Sequence, residues 1–193
     1  MDEIFLVWPA EEHEAEARDY VCEHAAAGET FLHGGSGLEQ AASFSAWLEQ
    51  TRNVRDGVNL PAGWVPASTF FALRPADGCI VGVVNIRHTL NDFLRRQAGH
   101  IGYGVRPGER RKGYAVRMLA LALDECRRLG LHSALIVCDS DNLGSVRTIQ
   151  KNGGILENEM EETNGTGKRH YWVELYSPPG EIAKTAIPTR VAE

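Results

Sequence analysis

The fourteen residues GYGVRPGERRKGYA, Gly102 to Ala115, hold four glycines and four basic side chains in a chain whose net charge is −6. Glycine lets a backbone approach a ligand closely, and clustered arginine and lysine attract anions, so the chemistry suggested is phosphate binding. Between Arg106 and Arg117, five basic residues (Arg106, Arg110, Arg111, Lys112, Arg117) face one acid, Glu109, a local charge of +4.

The spacing selects among phosphate-binding designs. No GxxxxGK[ST] loop occurs, and Gly102, Gly104 and Gly108 make GxGxxxG, one residue too long for a dinucleotide fingerprint. What stands there instead is R-x-x-G-x-A at Arg110, Gly113 and Ala115. The first N–H groups of a helix have no partner within it and carry partial positive charge. A glycine among them admits a phosphate to the backbone, and a small residue at 115 keeps the approach clear. The bland reading is a solvated basic turn in which Gly113 serves only the backbone conformation.

Such a loop needs a strand before it and a helix after it. GHIGYGV (Gly99 to Val105) reads as the strand. Ala115, Met118, Leu119, Ala122, Leu123, Cys126 and Leu129 then form one apolar helical stripe, with Gly130 placed to cap its end. ALIVC (Ala134 to Cys138) is a continuous apolar run, as expected of a strand buried on both faces. Strand–helix–strand at this spacing predicts that the strands at 99–105 and 134–138 run parallel.

The flanking elements follow from similar signals. A helix is expected over EEHEAEARDYVCEHAAA, after the apolar run IFLVW, and a second from Ser43 to about Asn53. Residues 54–67 read as loop. STFFALR and CIVGVVNIRH are strands joined by the turn PADG, and LNDFLRRQ is a short helical turn. Asp141 or Asn142 can cap a short helix ending at Asn152-Gly153-Gly154. ILENEMEE and HYWVELY are two last strands, joined by TNGTGKR, and a tail begins at Ser177.

Bulk composition limits the function classes. The length of 193 residues, 43% hydrophobic and 24% charged, fits one domain with a tail. An acidic balance argues against general nucleic-acid binding. Cys22, Cys79, Cys126 and Cys138 form no CxxC pair, so neither structural zinc nor a disulfide framework is expected. No apolar run approaches a membrane span, and the acidic N-terminus lacks the basic start of a signal peptide, so a cytoplasmic location is expected.

Two motifs on these elements resemble the GNAT superfamily of acyl-CoA-dependent N-acyltransferases. The family's Q/R-x-x-G-x-G/A, between a strand and a long helix, is matched by VRPGERRKGYA. Its second motif is matched as N-x-x-S…K-x-G-G by Asn142, Ser145, Lys151, Gly153 and Gly154. The likeness covers about residues 68–176 and is nearest to a branch of predicted acetyltransferases. Its landmarks here are GHIGYGVRP–ERRKGYA and DN–S–KNGG–LEN.

The resemblance implies an α/β fold of α+β type: a mixed, mostly antiparallel sheet with a central parallel, splayed strand pair, flanked by helices. One domain would span 1–176, with N-terminal helices and an acceptor-side loop over 1–67, a core over 68–176 and a tail over 177–193. The co-substrate implied is acetyl-CoA, without a metal. Its pantetheine arm would pair near Gly104 and Val105 in the splay. Its pyrophosphate would sit on N–H groups of Arg110, Arg111, Lys112, Gly113, Tyr114 and Ala115, with Asn142 and Ser145 beside the arm. The acceptor would be a small-molecule or peptide amine, and a homodimer stays open.

For the chemistry, an alkylamine must shed a proton before attack and the leaving thiolate must gain one. The family's usual acid, a tyrosine on the short helix, corresponds to Ile149. His100 has two readings: a general base on the splayed strand, or a histidine hydrogen-bonded beneath the loop. Weaker candidates are Tyr103, Glu157, Glu159 and Tyr171, with His88 and Asn85 on the acceptor side. Glu157 and Glu159 would share one strand face. Cys138 reads as a small core residue. The function expected is N-acetyl transfer from acetyl-CoA to a primary amine by direct attack in a ternary complex. The alternative is a non-catalytic acyl-CoA-binding sensor or partner module.

Overall fold

The computed structural model describes residues 2–161 and 167–176. Two antiparallel sheets organise the chain. The first has the order β1 (Phe5–Val7), β2 (Ala67–Arg74), β3 (Cys79–Arg87), β4 (Ile101–Val105). The second is β5 (Ser133–Asp139), β7 (Gly167–Glu174), β6 (Ile155–Glu161). Five α-helices cover them: α1 (Glu14–Ala26), α2 (Phe44–Asp56), α3 (Asp92–Gln97), α4 (Tyr114–Arg128) and α5 (Leu143–Lys151).

Successive strand residues point to opposite faces, and here each face has its own core. Phe70, Ala72, Val84 and Ile86 pack with Met118, Leu119 and Ala122 of α4 and with Ile136 of the second sheet. Phe71, Ile80 and Val83 pack with Tyr20, Trp47 and Leu48 from α1 and α2. Helices on both sides explain why the middle of β2 and β3 reads as an unbroken apolar run. Trp47, 1% exposed, places its indole N–H on the Gly35 carbonyl at 3.0 Å, so this large side chain leaves no buried donor unpaired.

The run IFLVW supplies the short edge strand β1, paired to β2 from Phe5–Leu73 to Val7–Phe71. The segment expected as loop from residue 54 begins instead with the last turn of α2. Ser43 caps that helix by accepting from the Ala46 amide, Val54 is buried, and Gly57 ends it at φ 70. The expected β2–β3 hairpin turns at Asp77-Gly78, and the short turn over LNDFLRRQ is α3. The loop TNGTGKR lies partly, and the tail from Ser177 wholly, outside the described residues.

β4 and β5 flank α4 in the expected strand–helix–strand unit, but among the described residues they share no ladder. Their one isolated bridge, Gly99–Ile136, is antiparallel in type, beside a 2.7 Å bond from the His100 amide to the Leu135 carbonyl. Gly99 permits this contact: it sits at φ 65, and a Cβ there would meet the Leu135 carbonyl oxygen at 2.4 Å. Beyond that point the edges of β4 and β5 are unpaired with each other, which is the splay. Among the described residues no helix is long and apolar enough to cross a membrane, and no cluster of His, Cys, Asp or Glu could hold a metal. All four cysteines are unpaired.

Candidate active site

The chain leaves β4, makes a 3-10 turn over Pro107–Glu109, and enters α4 at Gly113. Gly113 takes φ 90, a left-handed conformation that a side chain would strain, and Arg111 takes φ 65. The amides of Val116 and Arg117 turn back to the Gly113 carbonyl at 3.1 and 3.4 Å. Ahead of them, the amides of Arg111, Lys112, Gly113, Tyr114 and Ala115 have no acceptor among the described residues. Five consecutive free donors at the positive end of a fifteen-residue helix form an anion cradle.

The side chains around this cradle differ from the free basic field expected of the loop. Arg106 is held by Glu16 and Glu23 of α1, the latter at 2.5 Å, and Glu23 also takes the Gly108 amide at 2.6 Å. Arg110 forms a two-pronged pair with Glu29 at 2.6 and 2.7 Å, and its Nε donates to the Val105 carbonyl at 3.1 Å. Arg110 holds the Glu29 carboxyl down at about 2, against burial and with help from His24. Lys112 contacts Glu109 at 3.1 Å, and Glu109 also accepts from Arg74. Arg111 and Arg117 are exposed and have no carboxylate partner among the described residues. Acids from α1 and the residues after it thus neutralise most of the charge counted along the loop.

Tyr114 contributes its amide alone. Its side chain is 2% exposed in the core, where the hydroxyl accepts from Arg74 at 2.9 Å. Ala115 is half-buried behind the cradle.

The glycines of β4 serve the chain itself. Gly102 and Gly104 lie on the α1–α2 side, against the loop His33-Gly34. A Cβ on Gly104 would stand 2.8 Å from the His33 carbonyl oxygen, and the Tyr20 hydroxyl donates to the Gly104 carbonyl at 3.3 Å. Gly34 in turn abuts the Gly102 and Val83 carbonyls. The glycine thinning of this strand therefore admits a neighbouring loop on one face, leaving the strand's free edge toward β5.

Across the splay, Asn142 caps α5 by accepting from the Ser145 amide at 3.0 Å, and its Nδ2 has no partner among the described residues. Ser145 meets Tyr103 of β4, hydroxyl to hydroxyl, at 2.9 Å. Cys138 of β5 lies beside Ser145 as well. Burial pushes the Tyr103 hydroxyl up to about 12 and also raises the Cys138 thiol. Both keep their protons at neutral pH. Ile149 is fully buried, and Gly154 is packed against it so closely that a Cβ would stand 2.3 Å away.

His100 lies beneath the cradle's strand, 6% exposed, with Trp172 edge-on at 6.3 Å. Its Nδ1 accepts from the Leu135 amide at 2.9 Å, so the lone pair a base needs is in use. Burial, with the positive Arg95 and Arg87 nearby, lowers its pKa to about 4. Of the two readings left open for His100, the geometry matches the hydrogen-bonded structural one.

The remaining candidates separate in the same way. Tyr171 is buried, and Glu159 is an exposed partner of Arg169 at 3.0 Å. A register shift between Leu156 and Asn158 interrupts the alternation that would have put Glu157 and Glu159 on one face. His88 meets Ser68 at 2.8 Å, and Asn85 donates to Thr69 at 3.1 Å. Two features escaped the sequence reading. The Tyr103–Ser145 contact joins residues 42 apart, and the α1 acids look like an ordinary solvated helix face until Arg106 and Arg110 are placed beside them.

Residues 5–155 match the family model described as acetyltransferase (GNAT) domain. No curated protein matches the sequence. Among solved structures, the microcin C7 self-immunity acetyltransferase MccE, in complex with acetyl-CoA and AMP, is 19% identical. It has a TM-score of 0.64, with 90% of this chain and 93% of that one covered. The ribosomal-protein-S5-alanine acetyltransferase of Vibrio fischeri is 16% identical, with a TM-score of 0.65 and coverage of 90% and 97%. The putative acetyltransferase yncA of Salmonella typhimurium, solved with its cofactor acetyl-CoA, is 16% identical. Its TM-score is 0.59, with coverage of 95% and 99%. At these identities the likeness is one of fold.

Proposed function

Because this chain belongs to the GNAT acetyltransferase family, we propose that it moves the acetyl group of acetyl-CoA to a primary amine by direct attack in a ternary complex. The observation that carries this reading is the row of free amides from Arg111 to Ala115, set at the end of a strand whose other edge is open. A diphosphate needs such a cradle, and an amide-containing pantetheine arm needs such an edge. Solved structures of this fold include two with acetyl-CoA bound.

Acetyl-CoA supplies an activated acyl group as a thioester. The residues of the chain divide the remaining tasks. The amides of Arg111, Lys112, Gly113, Tyr114 and Ala115 bind the diphosphate, with the exposed Arg111 as the near cation. Arg110 acts indirectly, by tying the loop to Glu29 and to Val105. Val105 presents the strand edge, Gly104 beside it being paired to Val83 of β3, with Asn142 and Ser145 at the start of α5.

The overall reaction forms a C–N bond, breaks a C–S bond and carries one proton from nitrogen to sulfur. No external proton is needed. The Ser145–Tyr103 hydroxyl pair joins α5 to β4 across the splay, and both hydroxyls are protonated at neutral pH, so the pair can donate to the departing sulfur. His100 is assigned to structure, since its Nδ1 is committed to Leu135. Positioning supplies much of the rate.

The deciding experiment mixes the protein with acetyl-CoA and a broad panel of amines while following free thiol. Amine-dependent thiol release is expected. Acetyl-CoA binding without release from any amine would favour a non-catalytic binding module.

A further inference from the structure

Arg87 differs from the other arginines of the first sheet and its loop: unlike the exposed Arg111 it is largely withdrawn from solvent. Arg74, Arg106 and Arg110 all meet carboxylates. Arg87, the last residue of β3, meets none among the described residues. Its Nη1 donates weakly to the Ala98 and Gly99 carbonyls, both at 3.3 Å, and Nε and Nη2 have no partner there. Burial lowers its pKa to about 10, so it remains a cation at neutral pH, held in a partly buried place without a compensating charge. A desolvated charge of this kind is costly unless something pairs with it.

Its surroundings indicate what would. By the strand alternation, Arg87 shares a face with Val83 and Asn85, which is the α1–α2 face and not the α4 face. Its guanidinium lies across Gly102: Nη1 and Nη2 are each 3.5 Å from the point where a Cβ would stand, and the Gly34 amide nitrogen is 3.6 Å from it. That amide also has no acceptor among the described residues. Two guanidinium nitrogens and one backbone amide nitrogen thus lie within 3.6 Å of one point over the strand that borders the splay. A planar fork of this kind matches a carboxylate.

We propose that Arg87 and the Gly34 amide form the acceptor's anchor, and that the acceptor is a small amine carrying its own carboxylate a few bonds away. This rests on the transferase reading above. Gly102 is adjacent to Tyr103, and one strand residue spans roughly 3.3 Å. The anchor therefore lies on the strand that borders the splay, on the face opposite the Tyr103 side chain. A polyamine offers Arg87 nothing, and repels it.

Two measurements test this. In the first, kcat/KM is determined for a panel of amino acids beside the carboxamide of each. The wild type is expected to favour the acids by about tenfold or more, as for a charged hydrogen-bonded pair. Arg87→Gln should erase that preference through KM while leaving kcat nearly unchanged, and Arg87→Lys, which keeps the charge but not the fork, should retain part of it. Equal use of acids and amides, or a preference that survives Arg87→Gln, overturns the proposal.

The second measurement does not depend on turnover. N-acetylglycine and N-acetylglycinamide are titrated calorimetrically into the CoA-loaded protein. Tighter binding of the acid, lost in Arg87→Gln or weakened in Arg87→Lys if the first variant folds poorly, supports the anchor. Equal binding, or none, overturns it. Absence of thiol release from every amine would count against transfer itself, while this titration would still decide the anchor.

Discussion

Arg110 grips Glu29 with both terminal nitrogens, at 2.6 and 2.7 Å, across 81 residues of sequence. The arginine of the family signature is thereby joined to the end of the N-terminal helical region. The pair is partly exposed, and such pairs contribute about 0–1 kcal/mol to stability. Its main effect is to set the loop's position. Arg110→Gln and Glu29→Gln should each weaken CoA binding by about three- to tenfold, and the double variant should be no worse than either. Calorimetric titration of the three proteins with CoA checks this. A loss confined to Arg110→Gln would mean that the guanidinium itself touches phosphate.

Gly113→Glu should remove measurable CoA binding, a loss of at least about a hundredfold, because a side chain and a negative charge would enter the cradle. Residue 113 stands at φ 90, so any side chain also costs roughly 1–2 kcal/mol of backbone strain. Gly113→Ala separates the two effects: a lower melting temperature with smaller damage to binding. Unchanged CoA affinity in Gly113→Glu would remove the cradle from consideration.

Tyr103→Phe and Ser145→Ala should each lower kcat by about tenfold to a hundredfold, with little change in KM for acetyl-CoA. As members of one hydrogen-bonded pair, their effects should fall short of multiplying. Burial places Tyr103 at about 12, so its ionisation should give no falling limb between pH 7 and pH 10 in the wild-type profile. Full activity in both variants would exclude the pair as a proton source.

His100 links folding to acid. Its native pKa, about 4, lies below the ordinary value of about 6.5 that it regains on unfolding. Between those values the unfolded chain holds more protons than the folded one, so stability rises with pH. This contribution, on the order of 3 kcal/mol, is complete above about pH 6.5 and is lost as the pH falls toward 4. Urea titrations across pH 4–7 should show a shallower slope in His100→Gln than in the wild type. Its kcat profile should run parallel to the wild type, whereas a base would leave a deficit largest near neutral pH and repaired at pH 9.

The sequence made some of this legible and hid the rest for physical reasons. The apolar stripe of α4, its glycine at each end and the cap at Asn142 are local signals, written within a few residues of what they specify. The anion cradle follows from the same local signal. The fates of Arg106, Arg110 and Glu23 do not, because their partners lie 81 to 90 residues away in sequence and an exposed-looking acidic helix carries no mark of what it will meet. Gly102 and Gly104 show a further limit. Their absence of side chains correctly signals a close approach, but the chain's own His33-Gly34 loop is what approaches. His100 was ambiguous because its role depends on where one lone pair points, which only the Leu135 contact reveals.

The open border between β4 and β5 has a dynamic consequence. Backbone amides facing that gap lack the cross-strand partner that slows exchange with solvent deuterium, so the segment from Gly102 to Val105 should label faster on its splay side than β2 or β3. A ligand laid along the edge would act as a temporary extra strand. It would join two sheets that share, among the described residues, a single backbone bridge. On this view, occupancy of the splay stiffens the protein across its middle, and the deuterium record of that stiffening would trace the path of the ligand without a crystal.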